Sequence, residues 1–232
     1  MAVKQRTGGI AALIEAATLV AGFVIFGAVL ADYTSGDLTT AESVAFIADN
    51  EFTFYAGYLV AFIIFGIFLV PLALALHDRL RIGAQGLAPT ATAFGLIWSG
   101  LVIAAGMVAN IGFGVVTDLA DTGAGEAAPV WLALDAVQNG LGGGNEIAGG
   151  IWVLLVSLAA IRARTLARPL AYLGIVAGAA GLVTIVPALE VFGAVFGLGL
   201  IVWLVWLGFV MMRQPAFDTA LPSRARMDPA AV

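Results

Sequence analysis

The sequence predicts an all-α fold: a polytopic membrane helix bundle with six transmembrane helices, both termini cytoplasmic, and one extra interfacial helix before the fourth span. Three observations predict it. Of the 232 residues, 62% are hydrophobic and 11% charged, against about 45–50% and about 25% in ordinary soluble domains. The apolar residues gather into runs of about 20, the length that crosses a ~30 Å hydrocarbon core at about 1.5 Å per residue, and these runs lack a soluble helix's polar face. All ten lysines and arginines fall on one side of the resulting spans.

The spans read as about 9–31, 54–76, 91–114, 142–161, 170–189 and 191–212. The first follows KQR and is longer than a signal-peptide core of about 7–15 residues, so it is expected to be retained. It carries Glu15 about one and a half to two turns in from its cytoplasmic end. In the loop after it, AESVAFIADN (41–50) places apolar residues at helical spacing, as a surface helix would. The second span ends at ALHDRL, where His77 sits beside Asp78 and Arg79 at the interface, and the third contains Asn110. APVWLALDAVQNG (128–140) is too short to span. Pro129 suits a helix start and Trp131 a headgroup level, so it reads as the interfacial helix.

That helix leads into GLGGGNEIAGGIW (140–152). The run of glycines permits a tight turn into the membrane, and places Glu146 roughly one turn inside the outer end of span four. Pro187 and Glu190 divide 170–212, which as one helix would be about twice a bilayer, into spans five and six. Gly174 and Gly178, and Gly193 and Gly197, have the GxxxG spacing of close helix packing, within the chain or in a homodimer. Residues 1–213 form a single transmembrane domain, and 214–232 a flexible cytoplasmic tail.

Charge placement orients the chain in an inner (plasma) membrane. Lys4 and Arg6, then Arg79 and Arg81, then Arg162, Arg164 and Arg168, then Arg213, Arg224 and Arg226 occupy the cytoplasmic side. The opposite side carries Asp32, Asp37, Glu42, Asp49, Glu51, Asp118, Asp121, Glu126 and Asp135 with no basic residue. Topology and anionic lipid account for the arginines, so no nucleic-acid surface is implied. With no cysteine and one histidine, thiolate chemistry, Cys-ligated metals and bis-histidine haem are excluded. GLGGGN has neither a preceding strand nor the third glycine of a dinucleotide site. No cofactor is implied, and a metal is left open.

The candidate binding residues are the ionisable and amide side chains at membrane depth: Glu146 and Glu15 first, then Glu190, Asp135, Asn145 and Asn110. Each has a structural alternative. Asn145 and Glu146 suit the first turn of a helix as caps; Glu15 suits an internal hydrogen bond, or a pairing with His77. A matching GGI at Gly8 and Gly149 hints at an inverted repeat of the transporter kind.

The stretch EIAGGIWVLLVSLAAIRARTLARPLAYLGIVAGAAGLVTIV (146–186), with its glycine-bearing helix, basic loop ending Arg168-Pro169 and Leu-Gly and Ala-Gly helix, resembles the second half of the bacterial multi-pass family catalogued as domain of unknown function 4386. RTGGIAALIEAATLVAGFVI is similar to that family's first span. The resemblance implies a six-to-seven-helix integral membrane protein and no particular activity. Three functions follow. The leading one is binding or moving a small solute, cation or proton through an outward-facing acidic vestibule; the second is a non-catalytic structural or regulatory subunit packing through glycine-rich faces. The third is an intramembrane lipid-acting enzyme using Glu15 and His77, which has the least support. A polar cavity joining Glu146 to Glu15 favours the first, an exposed Gly174/Gly178 face the second, and a lateral opening at Glu15 and His77 the third.

Overall fold

The computed structural model describes residues 2–122, 125–143, 146–189 and 191–213. Every regular element among them is helical. α1 is Ala2–Val24, α2 Ala31–Thr34, α3 Thr40–Asp49, α4 Glu51–Tyr58, α5 Phe65–Leu80, α6 Leu87–Asp121, α7 Ala127–Gln138, α8 Ile147–Ala163, α9 Arg168–Val183 and α10 Phe192–Arg213. Five helical stretches are long and apolar enough to cross a membrane: Lys4–Val29, Glu51–Leu80, Leu87–Asp121, Ala127–Ala163 and Phe192–Arg213. The expected fifth span is present as α9, but it has 16 residues, about 24 Å of helix against a ~30 Å core. It stops at Thr184, whose hydroxyl turns back to the carbonyl of Gly181 at 2.7 Å, and a short 3₁₀ turn, Pro187–Leu189, leads toward α10. Glu190, Asn145, Gly144 and the tail 214–232 lie outside the described residues.

The helices close into a ring in chain order. α1 packs on α5 and α10, α5 on α6, α6 on α8, α8 on α9, and α9 on α10. Small residues set these approaches. A Cβ added at Gly150 would lie 2.8 Å from the carbonyl oxygen of Gly178, and one at Gly9 would lie 2.8 Å from that of Gly208, so α8 meets α9 and α1 meets α10 at backbone distance. The ring interior is filled by Phe65, Trp98, Trp152, Phe196 and Trp203. Trp152 stands 5.7 Å from both Trp98 and Trp203, ring centre to ring centre.

At 35 residues α6 is about 52 Å long, longer than the ~30 Å core of a bilayer. The two short helices expected at 41–50 and 128–140 form as α3 and α7 and pack on α6 and on each other. They build a second core of Val44, Ile47, Phe54, Tyr58, Phe113 and Trp131. α3 begins with a capping box: the Thr39 hydroxyl accepts from the Glu42 N–H, and the Thr39 N–H donates to the Glu42 carboxylate at 2.8 Å. These bonds hold the exposed Glu42 carboxyl below the usual range.

The basic end is tied by Arg79, which is 8% exposed. Its guanidinium donates to Gln5 Oε1 of α1 at 3.3 Å and to the carbonyl of Thr165, between α8 and α9, at 3.1 Å. Gln5 in turn donates to the carbonyl of Ala75 at 2.7 Å. Arg79→Met keeps the stem and strands these acceptors, so a loss of about 1.5–3 kcal/mol is expected. A detergent thermal melt unchanged from wild type would refute it, with Arg81→Met, at an exposed arginine paired with Asp78 at 3.6 Å, as the comparison.

Candidate functional site

Two π-helical turns interrupt the helices, Ile25–Val29 after α1 and Leu59–Ile64 between α4 and α5, and a kink at Gly142 breaks the chain after α7. A π-turn inserts a residue into the helical ladder and displaces the side chains around it, which is why such turns gather at functional sites. Both turns and the kink reach one cavity of about 320 Å³, through Phe26 and Gly27, Ala61 and Phe62, and Gly142. At Gly142 the chain takes φ 136° and ψ 13°. That backbone position favours glycine, as the sequence led one to expect for the turn into span four.

Among the described residues lining this largely apolar cavity, the one ionisable side chain is Glu146. It occupies the N-cap position of α8, as its structural alternative required, but its side chain makes no capping bond. The position is instead fixed through the backbone: the Glu146 N–H donates to Thr184 Oγ1 of α9 at 3.0 Å. The carboxyl is thereby left for the cavity. Glu15 lies below it. Leu19, Gly22 and Phe26 line the cavity, and Glu15 precedes them at i, i+4, i+7 and i+11, one face of α1. Glu15 is fully buried, and neither carboxyl oxygen has a hydrogen-bond partner among the described residues. The cavity ends one helical turn short of it, so no continuous polar cavity joins the two carboxyls.

Beside this cavity, toward the acidic end, lies a larger one of about 650 Å³. Tyr33, Tyr58 and Trp131 give it aromatic walls, Thr40 and Ser43 hydroxyls, and Asp135 its charge. Asn139 donates to Asp135 Oδ2 at 3.0 Å. Burial, and then the neighbouring Asp135 charge, push the Tyr33 hydroxyl up to about 12, partly offset by a hydrogen bond from Trp131. The two cavities meet at a pair of stacked rings: Tyr58 lines the outer, Phe62 the inner, with centres 4.9 Å apart and planes 13° apart.

The remaining sequence candidates scatter. Asn110 is partly buried on α6 with Oδ1 unpartnered among the described residues, but it lines neither cavity. Asp32 is exposed. Glu190 and Asn145 lie outside the described residues. His77 Nδ1 pairs with Thr92 Oγ1 at 2.9 Å, and no structural contact joins it to Glu15. Gly174 and Gly178 are covered within the chain: a Cβ at Gly174 would strike Ser157 and Trp203, and one at Gly178 would lie 2.8 Å from the carbonyl oxygen of Gly150. Gly197 packs on Phe23, and Gly193 faces Thr184. Sequence reasoning missed Tyr33, Tyr58 and Gln5. An aromatic residue near an interface has too many ordinary uses to stand out, and nothing in the sequence marks a π-turn.

A family model described as domain of unknown function (DUF4386) matches residues 7–208. No curated protein and no solved structure matches the chain.

Proposed function

We propose the following for this chain, which belongs to the family described as domain of unknown function (DUF4386): it is a multi-pass protein of the plasma (inner) membrane that binds a small solute or cation at its acidic, outward face and passes it inward. In this reading α9 completes six spans, tilting or thinning the bilayer locally to fit its length, and both termini face the cytoplasm. The basic residues at one end of the ring support that orientation. The observation that carries the reading is the convergence of two π-helical turns, the Gly142 kink and Glu146 on one cavity beneath the vestibule. The polar cavity expected to join Glu146 to Glu15 is not formed in this conformation, so passage requires the bundle to rearrange: solute enters the larger cavity, the Tyr58 and Phe62 rings part, and Glu146 receives a cation or proton in an otherwise apolar chamber. Glu15, on the same face of α1, is the next ionisable group inward. The subunit reading loses its main feature, because the Gly174 and Gly178 face is occupied by α8 and α10. The enzyme reading loses its pair, because His77 is engaged by Thr92.

The chain has no cysteine, which makes a direct test simple. Single cysteines at Ser43 in the vestibule and Ala61 in the inner cavity are probed with a membrane-impermeant thiol reagent, in intact cells and in inside-out vesicles. Ser43→Cys is expected to react from outside only. Ala61→Cys is expected to react from both sides, slowly from outside, and about tenfold or more faster when Phe62→Ala removes one ring of the stack, as expected of gated access. Labelling of Ala61→Cys from neither side would overturn passage; labelling of Ser43→Cys from inside only would overturn the orientation.

A further inference from the structure

We infer that the vestibule selects a small organic cation, an alkylammonium group carried on a compact apolar body; this rests on the outward-facing binding reading above. Its walls are the rings of Tyr33, Tyr58 and Trp131, and its single carboxylate among the described lining residues is Asp135. Every described lysine and arginine lies toward the opposite end of the ring, so no side chain of that kind compensates Asp135 at the vestibule. A ligand that fills the vestibule buries this carboxylate further, and only a positive ligand offsets that burial.

Chemistry narrows the cation. A divalent metal ion takes about six oxygen ligands, whereas one carboxylate lines the site and no group of three or more His, Cys, Asp or Glu side chains suited to a metal occurs among the described residues. An alkylammonium asks for something different: one counter-ion and aromatic surface around its methyl or methylene groups. The volume of about 650 Å³ falls in the range of sites for small organic molecules. Hydrogen bonding agrees. Tyr33 accepts from Trp131, which leaves the Tyr33 O–H to donate, and Asn139 already donates to Asp135 Oδ2 at 3.0 Å. The carboxylate is thus held by the protein on one oxygen, with capacity left for an N–H or a quaternary centre. A neutral polyol would also stack on the rings and bond the hydroxyls of Thr40 and Ser43, but it would leave the charge of Asp135 uncompensated.

The test is calorimetric titration of the purified full chain with choline, with the neutral carbon isostere in which a tert-butyl group replaces trimethylammonium, and with glucose. Asp135→Asn keeps the acceptor for Asn139 and removes the charge, Asp135→Glu restores it, and Asp49→Asn, an exposed acid outside the cavity, controls for general surface charge. Saturable choline binding is expected, with the isostere and Asp135→Asn each about tenfold or more weaker, Asp135→Glu closer to wild type, and Asp49→Asn unchanged. Equal binding of choline and its isostere, competition by sodium chloride well beyond screening, or indifference to Asp135→Asn would overturn the inference. Glucose binding without choline binding would overturn it and leave the vestibule reading standing; binding of none of the three would also overturn it, while the cysteine labelling above judges the vestibule reading separately.

Discussion

Gly178→Leu is expected to yield no folded, monodisperse protein, whereas Gly100→Leu is expected to melt close to wild type. The two substitutions add the same side chain inside apolar helices, α9 and α6, and differ chiefly in what the new atoms meet. A Cβ at Gly178 would lie 2.8 Å from the carbonyl oxygen of Gly150 and 2.9 Å from the N of Leu154; a Cβ at Gly150 would lie 2.8 Å from the carbonyl oxygen of Gly178 and 2.9 Å from the N of Leu182. Both obstacles are backbone, so no rotamer change clears them. Even Gly178→Ala has to separate α8 from α9, at a cost of about 1–3 kcal/mol for overpacking, and leucine adds three more carbons. At Gly100 nothing lies within 4 Å. No hydrophobic force drives one apolar helix against another in lipid, so close van der Waals contact carries much of the association. Loss of the α8 and α9 contact therefore takes away much of what holds α9, a 16-residue apolar helix below the length of a full span. Size-exclusion chromatography and a thermal melt in detergent decide it: a Gly178→Leu profile that overlays Gly100→Leu would mean the two helices are not packed at backbone distance.

The contrast between these glycines shows what was legible in the sequence. GxxxG spacing at Gly174 and Gly178 signals close packing, and the runs of about 20 apolar residues signal spans, because a bilayer imposes one length on whatever crosses it. The partner is not legible: Gly178 meets Gly150 across a loop, and nothing local distinguishes that from a second copy of the chain. The short helices at 41–50 and 128–140 were legible from spacing, from Pro129 and from Trp131. The site was legible only in fragments. Glu146 and Asp135 stand out because carboxyls at membrane depth are costly, but they line different cavities, since the chain breaks at Gly142 and the Tyr58 and Phe62 rings intervene. The π-turns that shape the inner cavity depend on how neighbouring helices press on LVAFII and IFGAV, and those residues suit an ordinary helix equally well. Arg79 was legible as a topological charge; its bonds to Gln5 and to the Thr165 carbonyl depend on α1 and α8 meeting α5, which is a tertiary fact.

Glu15→Met is expected to raise thermal stability while stopping inward access, an outcome opposite in sign to that of most core substitutions, which destabilise by about 1 kcal/mol on average. Glu15 is 0% exposed and sits among Ala11, Ala12 and Ala16 on α1, and both of its carboxyl oxygens lack a hydrogen-bond partner among the described residues. A buried polar group without a partner costs about 1–3 kcal/mol of its desolvation free energy. Methionine has nearly the same reach and branches nowhere, and its flexible thioether fills irregular space, so the substitution removes the penalty without leaving a cavity. Glu15→Gln keeps the polarity and is expected to show little or no gain. The stabilisation should be read as the melting temperature of Glu15→Met against wild type in the same detergent, and the function as labelling of Ala61→Cys from the inside face of vesicles, which is expected to disappear. A melt that falls instead would mean that Glu15 is satisfied in the native protein, by a bound ion or a group outside the described residues, and is part of the scaffold. A melt that rises with inward access intact would leave Glu15 as a tolerated defect and place the whole ionisable pathway on Glu146. The two readouts together are informative because a side chain retained against its own stability cost is what a working site in a dry core requires.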